Sequence, residues 1–179
     1  MSRQALLDHL TTHALRTDGP FTLRSGQTSS WYLDARQTTF DGRGARLVGE
    51  AVLEVIDPSV DAVGGMTMGA DPIAVAAAIA GADRGLRAFS VRKEAKDYGT
   101  GGRVVGPVGP GDRVVIIEDT TTTGSAAFEA MEAVRAEGLK VVQIVTLVDR
   151  SAGTAASRFA AAGVSFHSLF NPSDLGVAP

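Results

Sequence analysis

Val114-Val115-Ile116-Ile117-Glu118-Asp119-Thr120-Thr121-Thr122-Thr123-Gly124-Ser125-Ala126 is the stretch on which the fold turns. Four consecutive β-branched apolar residues, bounded by charges, predict a central strand of a parallel sheet, buried on both faces. Beyond the turn, Phe128, Met131 and Val134, joined by Ala127 and Ala130, recur at helical spacing. Ligands of α/β proteins bind in the crevice at the carboxyl ends of the strands, so the acids and hydroxyls between strand and helix mark a candidate site.

The turn has a chemical logic. Backbone N–H groups at a helix start lack intrahelical partners, and the helix dipole favours an anion there. Thr122, Thr123 and Ser125 add hydroxyls, and Gly124 permits close backbone approach. Glu118 and Asp119 repel a phosphate placed directly on them but suit a polyol's hydroxyls, or a metal reached through water; a sugar phosphate satisfies both halves. No lysine follows Gly124 as a nucleotide P-loop requires, and no G-x-G-x-x-G stands at this turn. An ordinary capped strand-to-helix turn is the bland alternative.

Around that strand, helical patterns at about 2–16, 42–56, 71–82, 124–137 and 153–162 alternate with strand patterns at about 60–64, 86–91, 112–118, 140–148 and 164–169. The alternation predicts an α/β fold, a parallel sheet flanked by helices. Phe21-Thr22-Leu23 and Trp31-Tyr32-Leu33-Asp34 precede the core and look antiparallel, as a small N-terminal hood over the strand ends. With 179 residues, 44% hydrophobic, the chain suits one domain, about 1–40 forming the hood and 41–170 the core. Its longest apolar run, Ile73 to Ala82, is too short for a membrane span, which takes about 20 residues. The N-terminus lacks a signal-peptide core and there are no cysteines, so a cytoplasmic protein is expected. A net charge of −3 offers no global attraction to nucleic acid.

A second cluster follows an apolar strand: Arg92, Lys93 and Lys96 fall close together, ahead of Gly99, Gly101 and Gly102. The connection from Glu94 to Gly111 is long for an α/β unit. It suits a cationic lid closing over an anion, and a solvated charged turn equally well. Gly64-Gly65-Met66-Thr67-Met68-Gly69-Ala70-Asp71-Pro72 is another strand-to-helix turn, with Asp71 as candidate cap and Pro72 at the first helical position. Asp149-Arg150 ends a strand and points at the same crevice. His9, His13 and His167 show no metal-ligand spacing.

The acid-hydroxyl stretch resembles the PRPP (phosphoribosyl-pyrophosphate) motif of the type I phosphoribosyltransferases. Arg92-Lys93-Glu94-Ala95-Lys96-Asp97-Tyr98-Gly99 is similar to the R-K-x-x-K-x-H-G loop of the orotate phosphoribosyltransferases, with Tyr98 in place of the usual histidine. Phe21-Thr22-Leu23-Arg24-Ser25-Gly26, followed by Ser29-Ser30-Trp31-Tyr32, resembles their F-x-L-K-S-G…S-x-Y segment, with Arg24 for lysine and Leu33 for one aromatic. Met68 stands where the family often has a lysine. The resemblance implies a type I phosphoribosyltransferase fold and transfer of phosphoribose from PRPP to orotate, with Mg²⁺ carried by PRPP rather than held directly by the protein. It implies that Glu118 and Asp119 meet the ribose hydroxyls, and that PRPP contacts continue through Thr120, Thr121, Thr122, Thr123, Gly124, Ser125 and Ala126. It implies Lys96, Arg92 and Lys93 as catalytic cations and Arg24 and Tyr98 as further PRPP contacts. Tyr32, Thr122 and Arg150 would hold orotate. A homodimer sharing its loops between subunits is implied as well. A transferase for another base, or a non-catalytic PRPP-binding regulator, is the alternative.

Overall fold

The computed structural model describes residues 2–22, 26, 28–95 and 102–178. The chain enters as α1 (Ser2–His9), passes through a π-helical turn at Leu10–Ala14, and becomes extended at β1 (Leu15–Arg16). β2 (Phe21–Thr22) pairs with β3 (Thr28–Ser29), and β4 (Tyr32–Leu33) pairs back with β1, both antiparallel. These two ribbons form the hood. The helical pattern expected to reach residue 16 therefore stops at Ala14, because Leu15 and Arg16 find strand partners in Leu33 and Tyr32.

A short α2 (Arg36–Thr39) leads into α3 (Gly42–Val55), whose cap is Asp41: its carboxylate accepts from the Arg43 and Gly44 amides. Next come β5 (Ala62–Met66), α4 (Asp71–Ala80), β6 (Arg87–Val91), β7 (Val104–Val105), β8 (Arg113–Thr121), α5 (Ser125–Ala136), β9 (Lys140–Asp149), α6 (Thr154–Ala161) and β10 (Ser165–Phe170). The six-stranded sheet runs β10-β9-β8-β5-β6-β7, parallel except for the antiparallel edge strand β7.

The Val114–Ile117 run is buried on both faces. Val115 and Ile117 pack on the side of α1, α3 and α4 with Leu47, Val48 and Ile73. Val114 and Ile116 pack on the other side with Ala130, Met131 and Phe159 of α5 and α6. Two apolar layers thus clamp the central strand, and a strand with both faces buried has no polar alternation to show. β8 extends three residues beyond the expected end, since its ladder with β9 continues to Thr121 opposite Asp149. Glu118 and Asp119 consequently sit on the strand itself, held by the sheet rather than by a loop.

Candidate active site

The carboxyl ends of β5, β6, β8 and β9 open on one side. There, Met66, Thr67, Gly69, Ala70, Lys93, Ile117, Glu118, Asp119, Ala126 and Ala127 line a cavity of about 360 Å³. One cavity therefore gathers the acid pair, the start of α5, the β5–α4 turn and one cation from the end of β6. Ala126 lies in the first turn of α5, where backbone amides lack a helical acceptor.

Burial, augmented by the neighbouring Asp119 charge and opposed by the Thr121 hydroxyl, raises Glu118 from the usual 4.5 to about 7. Burial raises Asp119 too, against the Thr120 amide that donates to its Oδ1 (2.7 Å) and the positive field of Arg36. Two carboxylates with raised pKa values in one cavity repel each other less when a ligand's hydroxyls or cation meets them. The Thr121 side chain is fully buried and donates to Glu118 Oε2, so this hydroxyl orients the acid. Gly69 leaves room for the acid: a Cβ there would lie 2.9 Å from the Asp119 carboxyl carbon and would push the carboxylate aside.

Thr123 Oγ1 lies 2.9 Å from Ser125 Oγ and accepts from the Ser125 amide (3.3 Å), which shapes the turn. Gly124 has φ +74°, and a Cβ on it would stand 2.6 Å from the Phe159 ring. Arg158 of α6 donates to the Thr123 carbonyl and lies 4.8 Å from the Phe128 ring centroid. This brings a cation from a distant helix to the anion turn, and nothing in the local sequence marked it. Arg36 was also unmarked; it binds Asp34 at 2.7 Å and acts electrostatically on Asp119.

Arg92 and Lys93 leave β6 at the neck of the cationic loop. The Arg92 amide donates to the Arg103 carbonyl, and Arg103 Nε returns a bond to the Arg92 carbonyl, both at 2.8 Å. Arg103 also pairs with Glu129 of α5, while Glu137 accepts from the Arg103 and Val104 amides. The returning arm of the loop is thus fastened to α5, the same helix that begins at the anion turn. Arg24, Lys96 and Tyr98 lie outside the described residues.

The orotate candidates form a neighbouring group. Arg150 follows β9, its amide donating to the Thr121 carbonyl (2.7 Å), and its guanidinium stands 3.9 Å from the Trp31 ring centroid. Tyr32 is partly exposed with its ring 5.9 Å from Phe21, and Thr122 is exposed on the turn. Asp71 is not the cap of α4 as expected; Ala70 holds that position. Asp71 instead accepts from the Thr67 hydroxyl at 2.7 Å, which takes its carboxylate away from the helix amides and ties the β5–α4 turn together. Met68 is exposed and borders a second cavity with Asp34, Arg36 and Phe40.

The phosphoribosyl transferase domain model matches residues 43–171. Orotate phosphoribosyltransferase of Streptomyces avermitilis is 46% identical over 178 residues, covering 98% of this chain and 97% of the relative. Mycobacterium tuberculosis orotate phosphoribosyltransferase, solved with Fe(III) dicitrate, superposes with a TM-score of 0.88 at 37% identity, covering 99% of this chain and 100% of that one. The same enzyme solved with PRPP gives a TM-score of 0.83 at 34% identity, again over 99% and 100% of the two chains. The relative and the two solved structures match over the hood as well as the core, whereas the domain model begins at residue 43. The chain belongs to the phosphoribosyltransferase family, in its orotate phosphoribosyltransferase branch.

Proposed function

We propose that this protein transfers the phosphoribosyl group of PRPP to orotate, giving orotidine 5′-monophosphate and pyrophosphate in pyrimidine biosynthesis. The observation that carries the reading is the buried Glu118–Asp119 pair facing Lys93 and the start of α5 in one cavity. PRPP is a polyol between two anionic groups, and this cavity offers carboxylates flanked by amides and cations. Membership of the orotate branch supplies the base.

The reaction forms a bond from an orotate nitrogen to the anomeric carbon as the bond to pyrophosphate breaks. Positive charge develops on the ribose ring and negative charge on the leaving oxygens. The protein's contribution is orientation and electrostatic complementarity. Glu118 and Asp119 hold the ribose hydroxyls and face the developing positive charge. Thr120 to Ala126 surround the 5-phosphate, with the Arg158 charge behind them. Lys96, with Arg92 and Lys93, receives the departing pyrophosphate, and Arg24 and Tyr98 complete the PRPP contacts. Tyr32, Thr122 and Arg150 hold the base. The cavity holds two carboxylates, and no group of three or more His, Cys, Asp or Glu able to hold a metal occurs among the described residues, which suits Mg²⁺ that would arrive with PRPP rather than be held directly by the protein. When bound, Mg²⁺ neutralises charge on the leaving group.

The homodimer reading is supported by the exposed face of α4. Val75 and Ile79 are 53% and 72% exposed there, and Val105, at the base of the cationic loop, borders the same recess as Val75. A second copy seated on this face covers apolar surface and stands beside the loop base. Residues 1–179 act as one unit, hood and core together. Among the described residues no helix is long and apolar enough to cross a membrane; a cytoplasmic enzyme with no nucleic-acid partner is the corresponding proposal.

PRPP titration by calorimetry, in wild type and Asp119→Asn, tests the site. Loss of a charged acceptor predicts binding weaker by about 1.5–3 kcal/mol. Equal affinities would remove Asp119 from the ribose contact.

A further inference from the structure

Arg150 carries a partly buried guanidinium that has no carboxylate or carbonyl partner among the described residues. The adjacent carboxylate, Asp149, is engaged by the Ser151 amide at 2.8 Å. What the guanidinium does have is the face of Trp31 at 3.9 Å. A desolvated cation is costly, and an aromatic face offsets part of that cost while leaving the N–H donors unused. Those donors are therefore available to an anionic group of a ligand.

Trp31 is itself fixed from several sides. It is 4% exposed, and its Nε1–H donates to the Ala178 carbonyl at 2.8 Å. Its own carbonyl accepts from the Ser29 hydroxyl at 2.7 Å, within the hood. The ring thus has one orientation, set by the hood on one side and by the segment after β10 on the other. A planar guanidinium stacked on such a ring loses its rotational freedom before any ligand arrives.

We propose that Trp31 is a positioning residue, whose ring pre-orients the Arg150 guanidinium for the carboxylate of the acceptor base. The inference rests on the orotate reading above. Trp31 touches no substrate in this account; it acts through Arg150, and the segment ending at Ala178 acts through Trp31. The hood, the β9 end and the last described segment become one device for reading an anionic base.

The test is steady-state kinetics for both substrates in wild type, Trp31→Phe, Trp31→Leu, Arg150→Ala and the Trp31→Leu/Arg150→Ala double variant. Trp31→Leu raises the orotate KM about tenfold with the PRPP KM changed less than about twofold, and Trp31→Phe, which keeps an aromatic face, recovers most of the loss. In the Arg150→Ala background, Trp31→Leu adds nothing further to the orotate KM. Equal rises in both KM values, additive effects in the double variant, or no recovery in Trp31→Phe would overturn the positioning role. Should Trp31→Leu fail to fold, comparison of Trp31→Phe in the wild-type and Arg150→Ala backgrounds decides it: a small rise in orotate KM present only with Arg150 upholds the role, and the same rise in both backgrounds overturns it. A wild-type protein that does not consume orotate at all removes the parent reading and this inference together. Orotate turnover with Trp31 and Arg150 uncoupled removes this inference alone.

Discussion

Glu118→Gln should make this protein more stable at alkaline pH while making it a poorer PRPP binder. Glu118 has its pKa raised from 4.5 to about 7, chiefly by burial and further by the Asp119 charge. Between these two values the folded protein retains a proton that the unfolded chain releases. Stability therefore falls as pH rises through this window and levels off above about 7; below about 4.5 both states are protonated and no penalty remains. A displacement of that size corresponds to about 3 kcal/mol of ionisation penalty at about pH 8, against about 1 kcal/mol at about pH 5. Glutamine keeps the shape of the protonated acid and still accepts from Thr121, whose bond to the ionised carboxylate is already contained in the raised pKa. The expected gain is about 3 kcal/mol at about pH 8, shrinking by about 2 kcal/mol on going to about pH 5. Urea unfolding of both proteins at the two pH values measures this directly. PRPP affinity should fall by about tenfold in the same variant, because one charged acceptor for the ribose hydroxyls is gone. A stability difference that does not change with pH would refute the claim that burial of an ionised Glu118 is what the fold tolerates for its ligand.

Gly69→Ala would drive a methyl into the Asp119 carboxyl group; kcat/KM for PRPP should drop at least about tenfold, and an unchanged value would mean that the carboxylate has room to spare. Phe159→Ala removes a fully buried ring that packs on Phe128 (4.8 Å) and Phe166 (5.1 Å) and lies beneath Gly124. It should cost about 3–5 kcal/mol in urea unfolding, and a smaller loss would show that the anion turn does not lean on α6. Ile79→Glu places a charge on the exposed face of α4 and should convert a dimer to a monomer in sedimentation velocity without lowering the unfolding midpoint. A wild-type monomer, or a variant that remains dimeric, would contradict this use of the face.

The parallel core was legible because its signals are local. The β-branched run Val114–Ile117 and the spacing of Phe128, Met131 and Val134 each report burial without help from the rest of the chain. The acid pair and the hydroxyl turn were legible for the same reason. The end of the first helix was not: apolar spacing continues past Ala14, and only pairing with Tyr32 and Leu33 makes Leu15 and Arg16 extended. Asp71 showed the right residue type for a cap, but a competing donor, Thr67, decided its role. Arg158 and Trp31 reach the site from distant segments, and a lone arginine or tryptophan gives no sign of which carbonyl or guanidinium it will meet. The raised pKa of Glu118 is likewise a property of packing, invisible until the strand is seen to continue through it.

The central claim is phosphoribosyl transfer to orotate, and the most direct measurement is the loss of orotate ultraviolet absorbance after the protein is mixed with PRPP and Mg²⁺. The expected result is a decay that requires protein, PRPP and Mg²⁺ together and that slows at least about tenfold in Asp119→Asn at limiting PRPP. No decay, from a folded protein that binds PRPP by calorimetry, would contradict it and assign the site to another base or to PRPP sensing.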